Sequence, residues 1–202
     1  MSPELVGKIA GVLSFISVVI YIISIFRGAT KPNKVTWWIM TFVGGMILTG
    51  YLIEMKPENR ATIWIPITYV VNPLIIALLS LKYGEKSDKK SFEIDMLCFK
   101  ISVSSIILWG VLIYLKIDGA TLIVLMVNLF SDFVGLYPTI VKSKLRPETE
   151  DGPAWMLATI AAAINAFAIS KWAFSESVYQ IYIITLNGYI TYLIFRKQKN
   201  NP

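Results

Sequence analysis

The chain has 202 residues, 55% of them hydrophobic and only 16% charged, a balance that excludes a water-soluble globule with an ordinary polar surface. One cysteine and no histidine exclude an internal disulfide framework and the usual histidine-based zinc chemistry. A bilayer core about 30 Å thick takes roughly 20 apolar residues per helical crossing, and seven runs of that kind follow one another along the chain.

The first run, Leu5–Phe26, starts almost at Met1 with Glu4 ahead of it instead of a basic segment, so it reads as a retained span and not as a cleavable signal. The second, Val35–Ile53, carries Gly44 and Gly45, compatible with close packing or with a bend. Ala61–Leu81 follows, with Asn72-Pro73 near its middle, and then Met96–Leu115, with Lys100 just inside. The fifth, Ala120–Val141, contains Asp132 and Pro138. The sixth, Pro153–Ile169, holds Asn165 among Ala161, Ala162, Ala163 and Ala166, and the seventh, Val178–Phe195, holds Asn187.

Lysine and arginine in short loops stay on the cytoplasmic side. The loops after runs one, three and five and the C-terminal tail hold 13 of the 19 basic residues, while Lys8, Lys56, Arg60, Lys116 and Lys171 lie on the opposite side. The N-terminus is therefore expected outside and the C-terminus in the cytoplasm. The net charge of +6 is explained by this topology and calls for no nucleic-acid partner.

The chain also repeats itself weakly. An offset of 115 residues sets Val70-Val71-Asn72-Pro73-Leu74 against Thr185-Leu186-Asn187-Gly188-Tyr189, Lys82 on Lys197, and Lys31-Pro32 on Arg146-Pro147. Trp38 then aligns with Trp155 after two residues are inserted in the second half. The repeat is three helices long, and the fourth run links two units that enter the membrane in the same direction. The expected fold class is an all-α integral membrane protein with seven transmembrane helices, in which two parallel three-helix bundles are joined by a linker helix (3+1+3). The expected domains are 1–82 for the first bundle, 83–117 for a cytoplasmic loop and the linker, and 118–202 for the second bundle. Asn72 and Asn187 become a facing pair.

A heptahelical 3+1+3 chain with a mid-membrane asparagine in spans three and seven resembles the SWEET and PQ-loop superfamily. The resemblance implies a central substrate pocket lined by Asn72 and Asn187, and prolines that let each bundle bend. Tyr137-Pro138-Thr139 is similar to the PQ-loop pattern, with Thr139 in place of the glutamine; the matching position in span one is Ile23, so that hinge is missing from the first half.

Each candidate residue has a plain structural reading beside the functional one. Asn72 and Asn187 suit solute contact or interhelical packing, and Pro73 suits a hinge or a local kink. Asp132, the only acidic residue deep in a run, suits proton or cation coupling, or a structural carboxyl bonded to a neighbour such as Asn128. Asn165 is a secondary pocket candidate. Trp64, Tyr69 and Tyr137 suit stacking on a ring or filling of an apolar core. Trp37, Trp38, Trp155 and Trp172 fall at run ends and read as interfacial anchors, and Lys8 and Lys100 as residues that snorkel to the headgroups. The charged loops Lys82–Asp95 and Lys142–Asp151 suit docking of a partner protein or, more plainly, read as solvated.

The function expected from these residues is transport of a small polar solute, sugar-like or another metabolite, by alternating access through a midplane pocket, in a multi-pass plasma (inner) membrane protein. The alternative is a seven-span receptor, sensor or scaffold that binds a ligand or partner without passing it. An aspartyl protease needs two deep carboxylates and a metalloenzyme needs ligating histidines, so an enzyme is not expected; a retinal photoreceptor would need a lysine in the last span, and pumping by ATP hydrolysis would need another subunit. No metal and no cofactor are expected; the partners are the lipid bilayer and the solute, and the chain is compatible with a homo-oligomer.

Overall fold

A computed structural model describes residues 1–54, 61–86, 89–115, 120–170, 172 and 174–198. These residues form seven α-helices: α1 (Pro3–Phe26), α2 (Lys34–Glu54), α3 (Trp64–Tyr83), α4 (Lys89–Leu115), α5 (Ala120–Leu145), α6 (Gly152–Ala166) and α7 (Phe174–Gln198). Short 3₁₀ turns precede two of them, residues 61–63 before α3 and Pro147–Thr149 before α6.

Local sequence sets the helix ends. Ser2 caps α1, its side chain accepting from Leu5 N at 3.3 Å, with Pro3 in the first turn where no donor is needed. Asn33 caps α2 through Thr36 N at 2.9 Å, and Asp151 caps α6 through Ala154 N at 2.8 Å. At the far end of α1, Gly28 takes φ 74° and Ala29 N reaches back to Ser24 O at 3.1 Å. A glycine in the left-handed region is what such a helix stop requires.

Among the described residues six helices are long and apolar enough to cross a membrane. The sixth apolar run behaves differently from expectation. It yields a helix of only 15 residues, about 22 Å at 1.5 Å per residue, against a hydrocarbon core of about 30 Å. The apolar residues Phe167, Ala168 and Ile169 continue the run, but the backbone tightens there into Ala168 N to Asn165 O (3.0 Å) and Ile169 N to Ala166 O (3.3 Å) turns. Helix α4 begins at Lys89, well before the apolar run at Met96, so Lys100 lies in the body of the helix and not a turn from its end. Lys8 pairs with Glu4 at 2.7 Å, one helical turn away.

The helices pack in a ring in which α1 contacts α3, α3 contacts α2, α2 contacts α5, α5 contacts α7, α7 contacts α6, and α6 closes on α1. Helix α4 packs against α2 and α5. Three of the connections meet at one end: Glu85 N donates to Pro32 O at 3.1 Å, and Lys31 N donates to Thr149 O at 3.1 Å. This is the end that carries the basic loops.

The α2–α3 contact is set by a proline and a glycine. Pro73 has no N–H for the Tyr69 carbonyl one turn before it, which leaves that oxygen outside the helical ladder. Gly44 of α2 sits against this carbonyl so closely that a Cβ there would overlap it, whereas Gly45 faces open space. The glycine pair therefore divides into one packing residue and one outward residue, and the packing residue fixes how close α2 lies to Tyr69 and Asn72.

Candidate functional site

A cavity of about 90 Å³ lies at the centre of the ring, lined by residues of α1, α2, α3, α6 and α7. Asn72 and Asn187 both line it, as the sequence reading expects, together with Tyr69 and Pro73. Asn72 is held by α1, its Nδ2 donating to Ser14 O at 3.0 Å and to Ser14 Oγ at 3.2 Å, while its Oδ1 is buried without a partner.

The remaining candidates lie elsewhere. Trp64 is 37% exposed at the start of α3, with its Cβ over Gly11 of α1, and does not line the cavity. Asn165 faces α7, donating to Gln180 Oε1 at 3.3 Å, while Gln180 Nε2 donates to the Ala162 carbonyl. That bracket joins α6 to α7 outside the cavity, the packing role that alanine-rich helix surfaces favour. Tyr137 is exposed on α5 beside Phe133.

Two residues taken from the sequence as interfacial anchors prove to belong to the site. Trp37 and Trp155 are 8% and 7% exposed, line the cavity, and face each other with ring centroids 6.1 Å apart. Each stands four residues after the cap of its helix, Asn33 or Asp151, and in each helix a threonine hydroxyl one turn further on, Thr41 or Thr159, bonds back to the tryptophan carbonyl at 2.8 Å. The structural counterpart of Trp155 is thus Trp37 and not Trp38. Tyr21 of α1 meets Trp37 edge to face at 5.2 Å. The signal was present in the sequence as the equal cap-to-tryptophan spacing, but rotation of the helix decides whether such a ring turns to lipid or inward.

Below these rings sits a fully buried ion pair. Lys142 Nζ lies 2.6 Å from Glu150 Oε1, with side-chain exposures of 2% and 0%. The same ammonium donates to the Lys31 carbonyl and to Thr149 O at 3.2 Å. Glu150 Oε2 accepts from Tyr21 OH at 2.8 Å and from Trp155 Nε1 at 3.0 Å. One carboxylate therefore ties α1, α5 and α6 together directly under the cavity. Burying an ion pair is tolerable only where the remaining lone pairs and protons are met, and here they are. The expectation that the Lys142–Asp151 loop is merely solvated fails for these two residues. Nearby, Asn33 Nδ2 donates to Glu85 at 3.2 Å and to Asp95 at 3.0 Å, and Arg146 reaches Glu85 at 3.1 Å, so charged residues of the second basic loop also pack inward.

Asp132 is fully buried in α5, outside the cavity lining. Its neighbours are two phenols and not Asn128: Tyr69 OH donates to Oδ1 at 3.1 Å and Tyr182 OH to Oδ2 at 2.8 Å. No cationic partner approaches it among the described residues. Tyr69 thus belongs to the cavity lining and, through its hydroxyl, also contacts Asp132. Among the described residues no group of three or more potential metal-binding side chains occurs.

Comparison with protein-family models, with curated proteins and with solved structures returned no match.

Proposed function

We propose that the chain is a multi-pass membrane carrier that moves a small polar solute through the central cavity by alternating access, in the manner its resemblance to the SWEET and PQ-loop superfamily implies. The observation that carries this reading is that Asn72 and Asn187, the pair matched by the internal repeat, line one cavity between helices of both halves. The helix order supports the 3+1+3 arrangement. Exchanging α1, α2 and α3 with α5, α6 and α7 maps each ring contact onto another ring contact. The paired starts of α2 and α6 add to it. The convergence of the basic connections at one end supports the orientation with that end in the cytoplasm, and a bacterial or archaeal plasma membrane suits the short loops.

On this reading the Glu150 cluster is the cytoplasmic gate. Rocking one bundle against the other breaks the contacts of Tyr21 with Glu150 and of Lys31 with Thr149, which join the two halves. Asp132 couples the cycle to protons, because Tyr69 and Asp132 stand on different bundles and the bond between them changes character when the carboxyl is protonated. The test is flux in proteoliposomes. Asn187→Ala is expected to lose saturable flux while folding normally; unchanged flux for every substrate tested would sink the pocket assignment. A receptor or scaffold with the same cavity binds its ligand and shows no net flux.

A further inference from the structure

At the end that carries the basic loops, three carboxylates turn inward while cations beside them stay outside. Glu85 is buried between Asn33 and Arg146, Asp95 is buried on Asn33, and Glu150 is buried on Lys142. Arg27, Lys34 and Lys82 are exposed, and none of them forms a salt bridge among the described residues. Glu93 on α4 and Glu148 on the 3₁₀ turn stay exposed, but neither pairs with these cations. Burial of the nearest counter-charge, Glu85, leaves the ends of α1 and α3 more basic at their surface than the charge count of the loops suggests.

The three cations come from three different helix ends and meet around one aromatic pair. Phe26, the last residue of α1, and Tyr83, the last of α3, stack edge to face with ring centroids 5.4 Å apart. Arg27 follows Phe26 directly, and Lys82 holds its Nζ 5.2 Å from the centre of the Tyr83 ring, within cation–π range. Lys34, at the start of α2, lays its stem against Gly84, where an added Cβ would lie 2.9 Å from Lys34 Cγ. Apolar surface leads up to this corner: Val19, Ile23 and Phe26 of α1 and Leu74, Leu78 and Leu81 of α3 are exposed at helical spacing. Aromatic rings and long basic side chains at the end of an apolar span belong at headgroup level. The internal repeat does not reproduce the corner. An offset of 115 residues sets Phe26-Arg27 against Val141-Lys142, and Lys142 is the cation buried against Glu150.

We infer that the corner formed by Arg27, Lys34 and Lys82 around the Phe26–Tyr83 pair binds the phosphate headgroup of an anionic phospholipid, whose acyl chains lie along the exposed apolar stripes of α1 and α3. An occupant of this corner needs an anionic head for the cations and a long apolar body for the stripes, and a phospholipid of the surrounding leaflet has both. A zwitterionic lipid brings its own ammonium group, which offsets the charge of its phosphate and weakens the match. The inference rests on the multi-pass membrane reading of the fold and is independent of solute transport.

The test titrates the purified full-length protein, in micelles of an uncharged detergent, with phosphatidylglycerol and with phosphatidylcholine of the same acyl chains. Native mass spectrometry counts the lipids bound per chain. Phosphatidylglycerol is expected to bind saturably and about 10-fold tighter than phosphatidylcholine. Arg27→Gln combined with Lys82→Gln weakens that binding about 10- to 30-fold. Lys144→Gln combined with Arg196→Gln removes the same charge from exposed positions at the same end and changes binding less than about threefold. Glycerol 3-phosphate, a headgroup without chains, does not compete. Should the Arg27 and Lys82 double variant not fold, Lys34→Gln and the wild-type comparison of the two lipids decide. Equal binding of both lipids, equal loss in the two double variants, or full competition by glycerol 3-phosphate overturns the inference. Flotation with phosphatidylcholine vesicles tests the membrane reading separately: a chain that fails to insert refutes that reading, and one that inserts without preferring phosphatidylglycerol refutes the lipid site alone.

Discussion

Two clusters of buried polar atoms lie against each other in this protein and share Tyr21 and Trp155, yet they are satisfied to opposite degrees. Around Glu150 every strong group is met: the Lys142 ammonium has three acceptors and the Glu150 carboxylate three donors. Among the residues that line the cavity above, the buried Asn72 amide oxygen has none. A satisfied network in a low-dielectric interior holds its geometry, whereas a buried group left unmet is a standing cost. The difference separates a part of the molecule that fastens helices from a part that is left incompletely bonded.

The contrast can be broken most violently at the fastening. Glu150→Gln leaves the Lys142 ammonium buried without its counter-charge, which is expected to cost about 3–5 kcal/mol and to lower the melting temperature sharply. Glu150→Gln combined with Lys142→Met is expected to recover much of that loss, and a double variant as unstable as the single one would show that the pair is not the cause. Next in size is Gly44→Ala, whose added Cβ overlaps the Tyr69 carbonyl and forces α2 away from α3. It is expected to cost about 1–3 kcal/mol, with Gly45→Ala near neutral in the same melt. Asp132→Asn is a smaller structural change, because an amide still accepts from one of the two phenols. Its expected effect is on coupling: uptake driven by a pH gradient is abolished and exchange survives, measured with labelled solute in vesicles. The smallest is Asn165→Ala, which removes the bond to Gln180 at about 0.6–2 kcal/mol and is expected to leave flux untouched. A transport defect in that variant would extend the site beyond the cavity described.

The helical class and most helix positions were legible because a long apolar run has few other uses, and the two asparagines were legible because the repeat aligned them. The sixth helix was misjudged in length: hydropathy reports that Phe167, Ala168 and Ile169 are apolar, not that their backbone has already turned. The tryptophans were misassigned for a related reason. At a run end an indole suits the headgroup region or the interior equally, and only the cap at Asn33 or Asp151 sets the rotation that turns Trp37 and Trp155 inward. Glu150 gave no signal of its own among Glu148, Thr149 and Asp151. Its burial depends on the 3₁₀ turn at Pro147 folding it back onto Lys142, a contact eight residues apart that neither charge count nor periodicity encodes. Asp132 was found by depth alone, but its partners were not, since Tyr69 and Tyr182 come from helices far away in sequence.

The closure of the helix ring also bears on dosage. Each link from α1 through α3, α2, α5, α7 and α6 back to α1 is made within a single polypeptide, so the cavity lining described above comes from one copy. A cell that makes wild-type chains together with an inactive Asn187→Ala form should lose activity only in proportion to the fraction replaced, with no poisoning of one subunit by another.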